Sequence, residues 1–361
     1  MELLFQINLE ILDKNINYIN NMNIKIALIQ IGKKHTEIMG TFVEYFVMKN
    51  FSFDIFYDLE NDNYSFINYY KTFFNANCNI YSPDNLIEYM KNYDYFIFTT
   101  SADKIKHEFA KFPSRCIYVS HQPTHPRSFM IKNIIVSPNI RGSHFNANIT
   151  EYVLPIYKSY NESCGNYNSN ILGIIGAIRF HEKDKDVNLL LEILNNYNEK
   201  SNFSFHIFMR RKDWNVISKK YKILKNNKLI QFFPGLKTED LIKRLKQCKY
   251  ILPLAKIGGW FHWQRLTGAL PLGINMNIPL IVDEKLKNIY NLKGVITYKN
   301  SINTVIDYAI KINKNEYNKL ITELIDYKNR IVAENHLKLD DLILRQRDTK
   351  FHQSEVPKNL T

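Results

Sequence analysis

The sequence predicts an α/β protein built from two consecutive doubly wound domains, and three observations carry that prediction. At 361 residues the chain is longer than a single hydrophobic core usually fills. Short unbroken apolar runs bounded by turn residues alternate with helical patterns, which is the signature of a parallel sheet covered by helices. A polar stretch at 159–170, SYNESCGNYNSN, interrupts the alternation, which then restarts. The chain divides accordingly into an extension (1–23), a first domain (24–158), a linker (159–170), a second domain (171–330) and a helical tail (331–361).

The first domain opens on IKIALIQI at 24–31, a buried strand between Asn23 and Gly32. A polar loop with His35 and Glu37 leads into a helix through Phe42, Tyr45, Phe46 and Met48, and a strand follows at 53–57. Ser82-Pro83-Asp84 is a helix start, a capping residue followed by Pro at the first helical position. A strand at 95–99, a helix at 102–111 and a strand at 116–119 complete the rhythm. In the second domain, strands are expected at 171–175, 203–209, 229–233, 250–252 and 279–282. Helices are expected at 186–199, after Thr238 and near Thr267, with a helical end from 301 to about 348. No repeat of solenoid period is present.

Composition narrows the class. A hydrophobic fraction of 45% with 23 Phe and 23 Tyr excludes a disordered chain. The net charge of +13 favours anionic partners, yet the positive residues are spread along both halves, unlike a dedicated nucleic-acid footprint, and heavy use of Lys, Asn, Ile, Tyr and Phe matches an AT-rich coding bias. Cys78, Cys116, Cys164 and Cys248 lie far apart without metal or redox spacing and read as reduced structural thiols. Glu2, Glu10 and Asp13 stand where a secretory signal needs a basic start, and no long uncharged apolar stretch follows. A cytoplasmic protein is expected, with a basic face able to rest on a membrane.

From 171 to 296 the chain resembles the donor-binding half of GT-B glycosyltransferases. Ile171-Leu-Gly-Ile-Ile-Gly176 is similar to the opening strand and glycine loop, and Lys185-Asp-Val-Asn-Leu-Leu-Leu191 to the start of the next helix. Phe232-Phe-Pro-Gly235 with Thr238-Glu-Asp-Leu241 is similar to the strand, glycine and short helix around the base. Tyr250-Ile-Leu-Pro-Leu254, Thr267-Gly-Ala-Leu-Pro-Leu-Gly-Ile274 and Pro279-Leu-Ile-Val282 are similar to the donor loop, the helix behind it and the next strand. The paired glutamates of the large retaining branch are absent: Gln264 and Leu272 stand at those positions. The first half resembles the acceptor domain in its rhythm and in Val119-Ser-His121. The resemblance implies two Rossmann-like domains facing a central cleft, a nucleotide-sugar as donor substrate, a glycan, lipid-linked or protein acceptor, and no cofactor or bound metal. A nucleotide-sugar epimerase on the same double fold and an inactive sugar-nucleotide or glycan-binding protein stay open beside the transferase.

A diphosphate needs backbone N–H groups at a glycine turn or helix start and fixed positive charge. Three places offer them: Gly176 with Arg179 beyond it, Arg210 and Arg211 at the end of a strand with Gly235 after the next, and Thr267-Gly268. A lone glycine after a strand is ordinarily a turn, and paired arginines there ordinarily face solvent. Their order on one α/β unit favours ligand contact, because such sheets bind ligands beyond the carboxyl ends of their strands. Gly258, Gly259, Trp260, His262 and Gln264 form the most unusual stretch, with two glycines for close approach and aromatic faces for sugar or base. For proton abstraction from an acceptor hydroxyl the candidates are His35, His121 and Asp103, each just after a first-domain strand.

Overall fold

The computed structural model describes residues 24–31, 36–59, 65–100, 109, 111–121, 132–136, 149–158, 164–176, 187–197, 201–220, 222–255, 266–299 and 301–344. The first domain runs β1 (Lys25–Gln30), α1 (Glu37–Met48), β2 (Ser52–Tyr57), α2 (Phe66–Phe73), β3 (Ile80–Tyr81), α3 (Leu86–Tyr89), β4 (Tyr95–Phe98), β5 (Cys116–Ser120), β6 (Lys132–Ile135) and β7 (Ile149–Tyr152). Its seven strands are ordered β3-β2-β1-β4-β5-β6-β7, and every pairing is parallel. The unbroken apolar run of β1 has a direct cause: Ile26 and Leu28 pack into one core while Ala27 and Ile29 pack into another on the opposite face. Ser82 caps the turn before α3 by accepting from Asp84 N at 3.3 Å, as its sequence signature predicts. The expected helix at 102–111 lies outside the described residues, apart from helical Phe109.

The second domain runs β8 (Ile171–Ile175), α4 (Val187–Asn196), β9 (Ser204–Met209), α5 (Arg211–Lys220), α6 (Lys222–Lys225), β10 (Ile230–Pro234), α7 (Thr238–Leu245), β11 (Tyr250–Ile251), α8 (Ala269–Asn275), β12 (Leu280–Asp283), α9 (Glu284–Tyr290), β13 (Val295–Tyr298), α10 (Asn303–Lys311) and α11 (Lys314–Leu344). Its six strands are ordered β10-β9-β8-β11-β12-β13, again all parallel. Both sheets thus start in the middle, grow to one side and cross over to the other. Each has a topological switch point beside its first strand, where such sheets hold ligands.

Residues 164–170 are fastened to the second domain. Cys164 N donates to Met276 O at 3.2 Å and Asn166 N to Cys248 O at 3.0 Å, while the Lys249 ammonium sits 4.8 Å from the Tyr167 ring centre. Helix α11 packs on both domains and runs without a break through residue 330. Tyr317 Oη donates to Lys249 O and Tyr327 Oη to Tyr290 O in the second domain. Further on, Leu339, Leu342 and Ile343 join the core around β1, and His336 meets Glu44 at 2.7 Å. Between the domains, the backbone of 154–157 is held from three sides. Asn335 Nδ2 donates to Leu154 O at 2.7 Å, Asn275 Oδ1 accepts from Tyr157 N at 3.0 Å, and Thr41 Oγ1 donates to Ile156 O at 3.4 Å.

Candidate functional site

Four candidate donor residues, Gly176, Arg210, Arg211 and Gly235, stand just past the carboxyl ends of β8, β9 and β10, three adjacent strands. Gly176 leaves β8 at φ 99°, a conformation that favours glycine, and its N–H donates to Phe208 O at 2.8 Å, tying the turn to β9. Gly235 leaves β10 at φ 72° and donates to Met209 O at 2.7 Å. A Cβ on Gly235 would come within 3.3 Å of Arg211 Cβ, so the arginine lies directly over the glycine turn.

The two arginines part company. Strand β9 ends at Met209, and Arg211 belongs to the first turn of α5 rather than to the strand end that the sequence predicts. Arg210 is clamped by Asp213 through two bonds, Nε to Oδ2 at 2.7 Å and Nη2 to Oδ1 at 3.2 Å. Its charge is therefore largely matched within the chain, whereas Arg211 is exposed beside Gly235.

On the far side of the switch point, Thr267 is buried and its carbonyl accepts from Leu270 N at 3.1 Å as α8 begins. Gly268 occupies the cap position with nothing within 4 Å of where a Cβ would stand, so this glycine leaves open space rather than relieving a clash. Leu254, just past β11, adopts φ 50° and turns the chain at the switch point itself.

In the first domain, His121 stands directly after β5, and its Nε2 lies 2.7 Å from Thr99 O at the end of β4. A carbonyl only accepts, so Nε2 carries the proton and Nδ1 carries the lone pair of the neutral ring. Behind it is a buried polar layer that the sequence reading missed. Thr99 Oγ1 donates to Ile29 O at 3.0 Å and lies against Gln30 Oε1, and Ile31 N donates to Thr100 Oγ1 at 3.0 Å. Gln30 and Thr99 are fully buried. The only signal for them was a polar residue closing each apolar run, Gln30 after 25–29 and Thr99-Thr100 after 95–98.

His35 and Asp103 lie outside the described residues, as do Arg179, Gly258, Gly259, Trp260, His262 and Gln264. Chain order still locates the ends of their segments. In chain order His35 lies between β1 and α1 and Asp103 between β4 and β5, and β1 and β4 are the two strands that flank the first switch point. The 258–264 stretch follows β11, which flanks the second.

No family model matches the chain, and no curated protein matches it either. Solved structures do. HepE of Anabaena, in complex with UDP and glucose, superposes with a TM-score of 0.62 at 10% identity over 92% of this chain and 100% of that one. Sucrose-phosphate synthase from Thermosynechococcus elongatus gives 0.57 at 9% identity over 91% and 100%. The lipopolysaccharide outer core galactosyltransferase WaaB gives 0.53 at 11% identity over 90% and 100%. Identity at this level speaks to architecture alone, and with two parallel switch-point sheets and near-complete coverage the chain has the GT-B fold.

Proposed function

We propose that the protein is a glycosyltransferase that moves a sugar from a nucleotide-sugar to a glycan, lipid or protein acceptor, with the donor on the second domain. The observation that carries this reading is the meeting of Gly176, Arg211 and Gly235 at the carboxyl ends of adjacent strands. The two glycine turns, their own N–H groups tied to β9, let a diphosphate approach the backbone closely, and Arg211 offers fixed charge beside them. Arg210, clamped by Asp213, positions the start of α5. Thr267-Gly268 and the 258–264 stretch complete the donor side, the latter with aromatic faces for sugar or base. On the acceptor side His121 is the favoured base. Thr99 O accepts from Nε2–H and fixes the tautomer in which Nδ1 is the basic nitrogen, the atom that takes the proton of an acceptor hydroxyl as the new glycosidic bond forms and the nucleoside diphosphate departs. His35 and Asp103 remain the other candidates, and the reading needs no metal.

Calorimetry with a panel of nucleoside diphosphates, followed by mass spectrometry of nucleotide-sugar reactions, tests the proposal. Arg211→Ala should weaken diphosphate binding by about 1 to 3 kcal/mol, the worth of a charge-assisted bond. His121→Ala should lower turnover by roughly a hundredfold while leaving that affinity unchanged. If no nucleoside diphosphate binds, the donor assignment fails. If one binds but His121→Ala turns over normally, only the base is wrong.

A further inference from the structure

The charge is less evenly spread than a view of the whole chain indicates. Residues 210–228 hold eight Lys or Arg and one carboxylate, Asp213, a net +7 out of the chain's +13. That carboxylate is already tied to Arg210. A coding bias toward Lys acts along the entire chain and does not concentrate half the excess in nineteen residues. The fold then sorts these residues by face. On α5, Asp213 and Ile217 are buried and Trp214 packs on Phe232 with ring centres 4.7 Å apart, while Arg211, Lys212, Asn215, Val216 and Lys219 face solvent. Lys225 of α6 and Lys228 are exposed as well. This helix pair flanks β10, the edge strand of the second sheet.

We propose that the outer face of α5 and α6 docks on an anionic lipid membrane. An exposed helix face with lysines, one apolar side chain and no carboxylate has the chemistry that anionic lipid headgroups attract. Val216, 52% exposed between Lys212 and Lys219, supplies the apolar part. Nucleic acid fits this face less well. Beyond Arg211 its exposed cations are lysines, point charges on flexible stems rather than guanidinium forks. The one tryptophan of the helix is turned inward on Phe232, so it offers no base a stacking platform. This inference rests on the surface alone and holds whether or not the sugar-transfer reading does.

Co-sedimentation of the full chain with vesicles tests it, comparing phosphatidylcholine alone with a mixture containing about one third phosphatidylglycerol. Binding to the mixed vesicles only, weakened by added salt, is expected. The triple variant Lys212→Glu, Lys219→Glu, Lys225→Glu should bind at least roughly a hundredfold more weakly, because it removes three near-surface lysines and adds three carboxylates. Val216→Asn should reduce binding a few-fold at every salt concentration. The control triple Lys311→Glu, Lys314→Glu, Lys319→Glu, equally exposed on α10 and α11, should bind like the parent. Unchanged circular dichroism and thermal midpoints qualify each variant. Equal loss in the two triples overturns the proposal, because net charge alone would then govern binding. It is equally overturned by absence of vesicle binding, or by capture of an oligonucleotide through the same three lysines without vesicle binding.

Discussion

Asp54 shows how much one buried side chain carries. It sits within β2, with Oδ1 accepting from Asn79 N and Nδ2 at 3.0 Å each, Oδ2 accepting from Tyr93 Oη at 2.8 Å, and Lys25 Nζ 3.4 Å away. Burial alone would raise its pKa. The hydrogen bonds from Asn79 and Tyr93 and the charge of Lys25 outweigh burial and hold it below the usual carboxylate range. A lowered native value means that the unfolded state takes up the proton first. The stabilisation is therefore complete above the ordinary carboxylate value near ~4 and disappears as pH falls through the native value. Asp54→Asn should cost about 1 to 3 kcal/mol at neutral pH and flatten the acid limb of the stability profile below about pH 4, measured by urea titration. Site residues at this scale were legible where they break a pattern. His121 was, because it follows an apolar strand. Its bond to Thr99 was not, since the partner lies past the end of another strand, and neither was the clamp of Arg210 on Asp213, which sets the two adjacent arginines apart. Gln30 and Thr99 were unreadable for the opposite reason: a polar residue at a strand end looks like the end of the strand.

Elements were most readable where both faces are buried, because a strand covered on two sides must be apolar throughout. The runs at 24–31, 95–99, 171–175 and 203–209 became β1, β4, β8 and β9. By contrast β6 and β7, KNII and ITEY, were not foreseen: each has four residues, two of them polar, and long-range parallel pairing rather than local pattern makes them strands. The loop before β13 meets helix α11 at unusually close range. Gly294 has φ 63°, and a Cβ there would strike the Leu320 carbonyl oxygen and come within 2.5 Å of Leu324 N, both backbone atoms of the helix. Neither can swing aside as a side chain would. Gly294→Ala should therefore cost at least about 2 kcal/mol, from strained backbone and overpacking together, with a lower melting temperature as the readout. Gly268→Ala, where the space is open and φ is −61°, should leave the melting temperature nearly unchanged and serves as the control.

At the scale of the molecule, the two sheets are joined by more than their covalent link. The 154–157 backbone takes side-chain bonds from α1, α8 and α11, and α11 lies on both cores. A chain cut between the domains should stay in one piece. With a specific protease site inserted between residues 160 and 161, the two fragments are expected to co-elute on gel filtration after complete cleavage, and separation without denaturant would show that these contacts do not hold the halves. The same helix also sets an order of events in synthesis. The first domain leaves the ribosome first, but Leu339, Leu342 and Ile343, which belong to the same core cluster as Ile24 and Ile26, are translated only after every strand of the second sheet. The nascent amino-terminal half thus waits with an unfilled apolar face until the last turns of α11 emerge. In the growing chain the oldest domain is the last to be completed, and that interval is when a chaperone has the most to bind.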